Sequence, residues 1–408
     1  MNRNNAITLL NEIEKQSCEL FNEIDNRVLV NQEKVLRAFQ QSKVTLFNMA
    51  GSSGYGYEDT AKSKLNSVYA LAFGAEKALV SPLITCGTHA IFLALSAILR
   101  PGDVMLSITG LPYDTLIDAL VGENNGSLKD FNISFEKVDM IGDEIDLQAV
   151  IKAVKKLKPR MIYLQRSRGY SSRKTLTIDY IAKIISVLKK ESPDSVYMVD
   201  NCYGEFVETK EPTSVGADII AGSLIKNPGG GIAPTGGYIA GRADLIDLIE
   251  RRLTSPTLGN EVGSYNTPYT NFFEGFFIAP HLVGGVLKGN ILLGKVAAKI
   301  GFKTSPDINQ IPEDVIRTIE FNNAEKMIKF VQRVQELSPI DSFVRPEPYD
   351  MPGYNDKVIM AAGTFIQGSS IEFSCDGPVK SPYIAYMQGG LTYEHIKLVA
   401  LSFIEEYL

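Results

Sequence analysis

Residues Gly222–Gly231 read GSLIKNPGGG: a short apolar run ends at Ser223, a lysine follows at 226, and three glycines stand just behind it. An ordinary surface lysine needs no such setting. A phosphate loop usually carries its glycines before the lysine, not after it. Pro228 keeps a helix from starting at that point, and glycines let backbone pass close to a ligand. The stretch therefore reads as a lysine presented at the end of a buried strand, and its neighbours decide what for.

On both sides of it strand and helix signals alternate. Strands are expected at Lys77–Ser81, Val104–Ile108, Ile133–Val138, Met161–Leu164, Val196–Val199 and Ile219–Ala221, with Tyr238–Ala240 able to close the set. Helices are expected at 31–43, 61–73, 88–99, 147–157 and 178–189. Such alternation specifies an α/β fold with a mainly parallel sheet covered by helices. Beyond about residue 273 the pattern changes. A long helix is expected over Pro280–Ile300, then strands at 358–361 and 371–373 mixed with helices at 324–335 and 393–405. The expected division is an N-terminal helical arm (1–48), a large α/β unit (49–275) and a smaller α+β unit (276–408).

Bulk properties narrow the function. The 408 residues are 45% hydrophobic and 22% charged, as in a water-soluble globular chain. A net charge of −6 gives no general attraction to nucleic acid or to an anionic membrane. The four cysteines (18, 86, 202 and 375) form no CxxC pair, and the three histidines are far apart, so no metal site is expected. The first fifteen residues lack the apolar core of a signal peptide, and no unbroken apolar run of about 18 residues exists. A cytoplasmic protein with reduced thiols is the expectation.

In open α/β sheets ligands bind beyond the carboxyl ends of the strands. After the first strand comes Cys86-Gly87-Thr88, opening a helix whose free N–H groups suit a phosphate; an ordinary Thr cap is the plainer reading. After the second comes Tyr113, which can stack on a flat ring or merely pack. After the fifth comes Asp200, and after the sixth Ser223 and Lys226, 26 residues beyond that carboxylate. Pyridoxal 5′-phosphate explains all of these at once. It needs an anion site, an aromatic face, a carboxylate at its ring nitrogen and a lysine for its aldehyde.

The strings SGYGYED (53–59), CGTHA (86–90), LRPGD (99–103), GLPYDTL (110–116), QRSRGYSSR (165–173), VDNCYGEF (199–206), EPTSVGAD (211–218), TGGYIAGR (235–242), MPGYNDKVIMAAGTFIQG (351–368) and YMQGGLTYEH (386–395) carry a resemblance. The chain resembles fold-type I pyridoxal-phosphate enzymes of the cystathionine lyase and methionine γ-lyase group, and most closely its bacterial aluminium-resistance branch. The resemblance implies a seven-stranded, mainly parallel sheet. It implies Lys226 as the cofactor lysine, Asp200 at the ring nitrogen, Tyr113 on the ring, and Gly87, Thr88 and Ser223 at the phosphate. It further implies a homotetramer built as a dimer of dimers, in which Tyr55 or Tyr57 reaches a neighbour's cofactor. The implied reaction is elimination of a thiol from a sulfur amino acid. An aminotransferase, another lyase on this cofactor, and a low-turnover binding protein linked to metal stress stay open.

Two departures stand out. The lyases carry a carboxylate-gripping arginine in the last strand, and the matching YIAYMQGG (383–390) has none. The loop 165–173 instead carries Arg166, Arg168 and Arg173, which are expected to hold the substrate carboxylate or the phosphate.

Overall fold

A computed structural model describes residues 1–351 and 356–408, so part of the 351–368 string lies outside the described residues. The strands run β1 Lys77–Ser81, β2 Val104–Ser107, β3 Ser134–Lys137, β4 Met140–Ile141, β5 Glu144–Ile145, β6 Met161–Gln165, β7 Val196–Asp200, β8 Ile219–Ser223, β9 Gly237–Gly241, β10 Lys303–Ser305, β11 Ile316–Glu320, β12 Val358–Ala361, β13 Ser374–Pro378 and β14 Ile384–Gln388. The helices are α1 Arg3–Lys15, α2 Cys18–Ser42, α3 Thr60–Ala72, α4 Gly87–Ile98, α5 Asp114–Val121, α6 Leu147–Leu157, α7 Ile178–Glu191, α8 Ala243–Leu253, α9 Thr270–Ile300, α10 Ala324–Glu336 and α11 Tyr393–Tyr407.

Seven strands form one sheet in the order β1-β9-β8-β7-β6-β2-β3. Only β9 runs against the rest. It sits between β1 and β8, antiparallel to both, and not at an edge as a closing strand. The central strands β6, β7 and β8 are buried at every residue, which explains why their sequences are continuous apolar runs without alternation. One apolar layer, with Ile91, Leu95, Met105 and Met198, fills one face; another, with Leu65, Val68, Leu164 and Ile220, fills the other. A second sheet, β10-β11-β14-β13-β12, is antiparallel and packs with α10 and α11 around Phe330, Met387 and Phe403. In the N-terminal segment, α1 joins this second core through Ala6, Leu10 and Ile13, while α2 lies along α9 and α3.

Helix α9 begins ten residues before the expected Pro280, with the proline inside it. A proline in mid-helix costs about 3 kcal/mol. Phe272, Phe273 and Phe276 offset that by burying their rings; Phe276 stacks on Tyr69 at 3.8 Å between centroids. By length and composition α9 could cross a membrane, but two thirds (67%) of its apolar window is buried within this fold. Among the described residues no other helix passes that test.

Candidate active site

The expected residues arrive at one place because the carboxyl ends of β1, β2, β6, β7 and β8 point to the same edge of the sheet. A cavity of about 340 Å³ opens there, between the large sheet and β13 and β14 of the small one. Gly87, Thr88, Tyr113, Asp200, Ser223 and Lys226 all line it. A larger open groove of about 1100 Å³ passes Asp59, Lys62, Glu250 and Arg251 but contains none of these six.

At the start of α4 the cap is Cys86, not Thr88: the Cys86 sulfur accepts the His89 N–H at 3.4 Å. Thr88 is thereby free to accept the Tyr113 hydroxyl at 3.0 Å, which ties the loop after β2 to the helix start. The Tyr113 N–H donates to Gln165 Oε1 at 3.1 Å, so three strand ends hold this ring in place. A Cβ on Gly87 would lie 3.4 Å from Ser223 Cβ, and this closeness brings α4's first turn against the end of β8. Ser223 Oγ is buried there with no hydrogen-bond partner among the described residues. A donor left unpaired beside a helix N-terminus is costly unless an anion meets it. This is what a phosphate ester would supply, and the residues present fit it.

Asp200 ends β7. Its Oδ1 accepts the Cys202 N–H at 3.1 Å and its Oδ2 the Tyr163 hydroxyl at 3.4 Å. Burial raises its pKa, while Lys226 and the Cys202 N–H act to lower it. Lys226 Nζ lies 4.1 Å from the centre of the Tyr203 ring. Burial lowers the ammonium's pKa, but Cys202, Tyr203, Asp200 and Tyr113 outweigh it and the net direction is upward. The lysine of the free chain is therefore a cation through neutral pH.

The arginine loop is the main correction. The loop itself lines the cavity through Gln165, Ser167, Gly169 and Tyr170, and none of its three arginines does. Arg166 points the other way and is fully buried. It bonds Glu208 at 2.9 Å, Asn201 Oδ1 at 2.8 Å and the carbonyls of Gly204 and Leu176, with Glu211 at 3.7 Å. Arg173 spends its nitrogens on the carbonyls of Gln165, Arg166, Ser167 and Lys174, and burial lowers it to about 10. Arg168 donates to Ser305 Oγ at 3.0 Å and lies 3.6 Å from Asp314, yet its Nε and Nη2 have no hydrogen-bond partner among the described residues. Tyr55 and Tyr57 also lie outside the cavity. They stack on each other at 5.2 Å, 66% and 58% exposed.

Sequence reasoning missed Gln165, Tyr203, Tyr170, Asp376, Tyr386 and Gln388, all of which line the cavity. Tyr203 had a signal, three residues past the strand-end carboxylate. The last three come from β13 and β14, which no local pattern connects to Lys226.

A lysine, a strand-end carboxylate, a held tyrosine and an anion-seeking helix start, at one edge of this sheet, define the class: a fold-type I pyridoxal-phosphate enzyme. Comparison narrows it. The chain belongs to the methionine γ-lyase family, whose model matches residues 6–408, and it is a pyridoxal-phosphate-dependent carbon–sulfur lyase. It is 46% identical over 401 residues to the uncharacterized Bacillus subtilis (strain 168) protein YnbB, covering 97% of this chain and 95% of that one. A Bacillus cereus crystal structure matches at 46% identity with a TM-score of 0.95, over 98% of this chain and 99% of that one. The Clostridium novyi NT structure described as a carbon-sulfur lyase involved in aluminum resistance matches at 44% identity with a TM-score of 0.94, over 99% and 96%.

Proposed function

We propose that this lyase eliminates a thiol from a sulfur-containing amino acid, giving thiol, ammonia and a 2-keto acid from the amino acid and one water. The observation that carries the reading is the convergence of Lys226, Asp200 and Ser223 on one cavity beside the α4 N-terminus. When bound, pyridoxal phosphate draws electron density from the substrate's Cα. Gly87, Thr88 and Ser223 would hold its phosphate, Tyr113 its ring face, Asp200 its ring nitrogen and Lys226 its aldehyde carbon. Once displaced by the substrate amine, the Lys226 amine is the base that moves a proton at Cα.

The substrate carboxylate still needs a cation, since burying it unpaired is costly. Of the three loop arginines, Arg168 is assigned that task because two of its buried nitrogens lack partners among the described residues. The test is a panel of thioether and disulfide amino acids, assayed for thiol, ammonia and keto acid. The native chain should release all three together. Arg168→Lys should bind the best substrate roughly tenfold less tightly, because lysine lacks the planar fork. Release of keto acid without thiol would replace elimination by amino-group transfer, and unchanged binding in Arg168→Lys would remove that arginine from the site.

A shared site between subunits, in a dimer of dimers, belongs to the same reading. Its support is the outward display of Tyr55 and Tyr57 with Leu46 and Phe47, the last two each 89% exposed. Mixing a Lys226→Ala chain with a Tyr55→Phe/Tyr57→Phe chain should restore activity in hybrid dimers. Verified subunit exchange without rescue would place these tyrosines elsewhere. The four free thiols support a cytoplasmic location, which cell fractionation checks.

A further inference from the structure

The cavity holds a charge that the chemistry above does not use. Asp376, in the middle of β13, is buried, and its strand neighbours are Met360 of β12 and Tyr386 of β14. A carboxylate offers about four acceptor positions. Tyr170 donates to this one, and Gln388 Nε2 reaches Oδ2 at a long 3.4 Å. Oδ1 has no partner among the described residues. Among the described residues lining the cavity the charged groups are Lys226, Asp200 and Asp376, and Lys226 is the sole cation. Tyr203 stands between the last acid and the lysine: its ring meets Nζ at 4.1 Å, while Asp376 and the Ser370 hydroxyl act on its phenol. Asp376 thus lies on the far side of Tyr203 from the reacting centre, where a substrate's tail would run.

An acid in such a place is costly unless a donor or cation completes it. We propose that Asp376 recognises a second, distal ammonium on the substrate, so that the preferred amino acids carry an amino group on each side of the sulfur. This rests on the lyase reading and names its substrate class. A tail ending in a methyl group would leave the carboxylate as incomplete as it is now. A tail ending in an ammonium would supply up to three donors.

Burial raises Asp376 to about 7, with the Tyr170 bond opposing. The other titratable groups facing it are Tyr203 from the loop after β7 and Tyr386 from β14, both phenols shifted further upward. A carboxylate that protonates near 7 binds an ammonium only above that pH. Affinity for a cationic tail should therefore rise as pH passes upward through about 7, and affinity for a neutral tail should not.

The experiment compares S-(2-aminoethyl)-L-cysteine with S-propyl-L-cysteine on the holoenzyme. Calorimetric binding and thiol release are both measured from pH 6 to 8.5. The native chain should favour the aminoethyl compound by about ten- to a hundredfold, the range expected for a hydrogen bond to a charged group. Asp376→Asn should erase that preference and its pH dependence while leaving the propyl compound unaffected. Equal binding of the two by the native chain, or a preference that survives in Asp376→Asn, overturns the assignment. Should Asp376→Asn not fold, a flat native pH profile for the aminoethyl compound overturns it equally. The two readings fail separately. Preferential, Asp376-dependent binding without thiol release from either compound removes the elimination reaction but keeps the recognition, whereas equal thiol release from both does the reverse.

Discussion

Lys226→Ala abolishes thiol release, by at least about a thousandfold, while the chain still folds and takes up pyridoxal phosphate without a covalent bond. Positioned proton transfer alone contributes roughly 10²–10⁴ in rate, and alanine also removes the covalent attachment. The rest of the site survives the change. Ser223 belongs to β8, and Asp200 is fixed by the Cys202 N–H and the Tyr163 hydroxyl. Borohydride reduction followed by peptide mapping should label Lys226 in the native chain and no lysine in the variant. A small primary amine added to the variant should restore part of the activity, which a purely structural lysine would not allow. The direction of the Lys226 shift adds a pH test. Its neighbours raise the amine's pKa in the free chain, so it is protonated through neutrality, and only the neutral amine can attack an aldehyde. Covalent uptake by the apo chain should accelerate steadily as pH rises above 7. Label on another lysine, or a variant within tenfold of native activity, would overturn the assignment.

The large sheet was legible because its buried strands are unbroken apolar runs and its strand ends carry the residues one cofactor requires. Lys77–Ser81 and Leu147–Leu157 fall where periodicity puts them. The small sheet was not. Strand β13 reads Ser-Cys-Asp-Gly-Pro, with a carboxylate at a position that only tertiary burial explains, and the expected strand at 371–373 falls just short of it. The start of α9 was hidden for a related reason: its proline is a local stop signal, overridden by an aromatic cluster drawn from α3, β9 and the loop after β7. The site divides the same way. Side chains following parallel strands could be found from order alone, because the sheet brings those ends together. Asp376, Tyr386 and Gln388 required knowing which face of the second sheet closes over the first.

The arginine loop shows what charge alone cannot specify. Arg166, Arg168 and Arg173 share one nine-residue segment and read alike in sequence, yet only tertiary partners separate them. Arg166 faces Glu208 and Glu211, two acids that lie past the β7 strand end and were silent in the sequence reading. Its bonds to Asn201 and Gly204 clamp the turn that carries Cys202 and Tyr203. Arg173 braces the loop's own carbonyls.

Arg166→Ala should therefore destabilise the protein and not act as a loss of substrate grip. The substitution strands two acids and leaves the Asn201 Oδ1 and the Gly204 and Leu176 carbonyls without this donor, in a place from which the solvent is excluded. Breaking a buried ion pair by removing one partner costs about 3–5 kcal/mol, a large part of the roughly 5–15 kcal/mol that holds a domain folded. The urea midpoint of the apo chain should fall accordingly, measured without cofactor because ligand binding would mask the loss. Arg166→Lys should lie between, since an ammonium keeps the charge near Glu208 but cannot reach the same set of acceptors. The contrast with Arg168 makes the point decisive. Arg168→Lys should alter substrate affinity at nearly unchanged stability, and Arg166→Ala should lower stability whether or not substrate is present. An Arg166→Ala chain of native stability whose KM alone has risen would return this arginine to the substrate site.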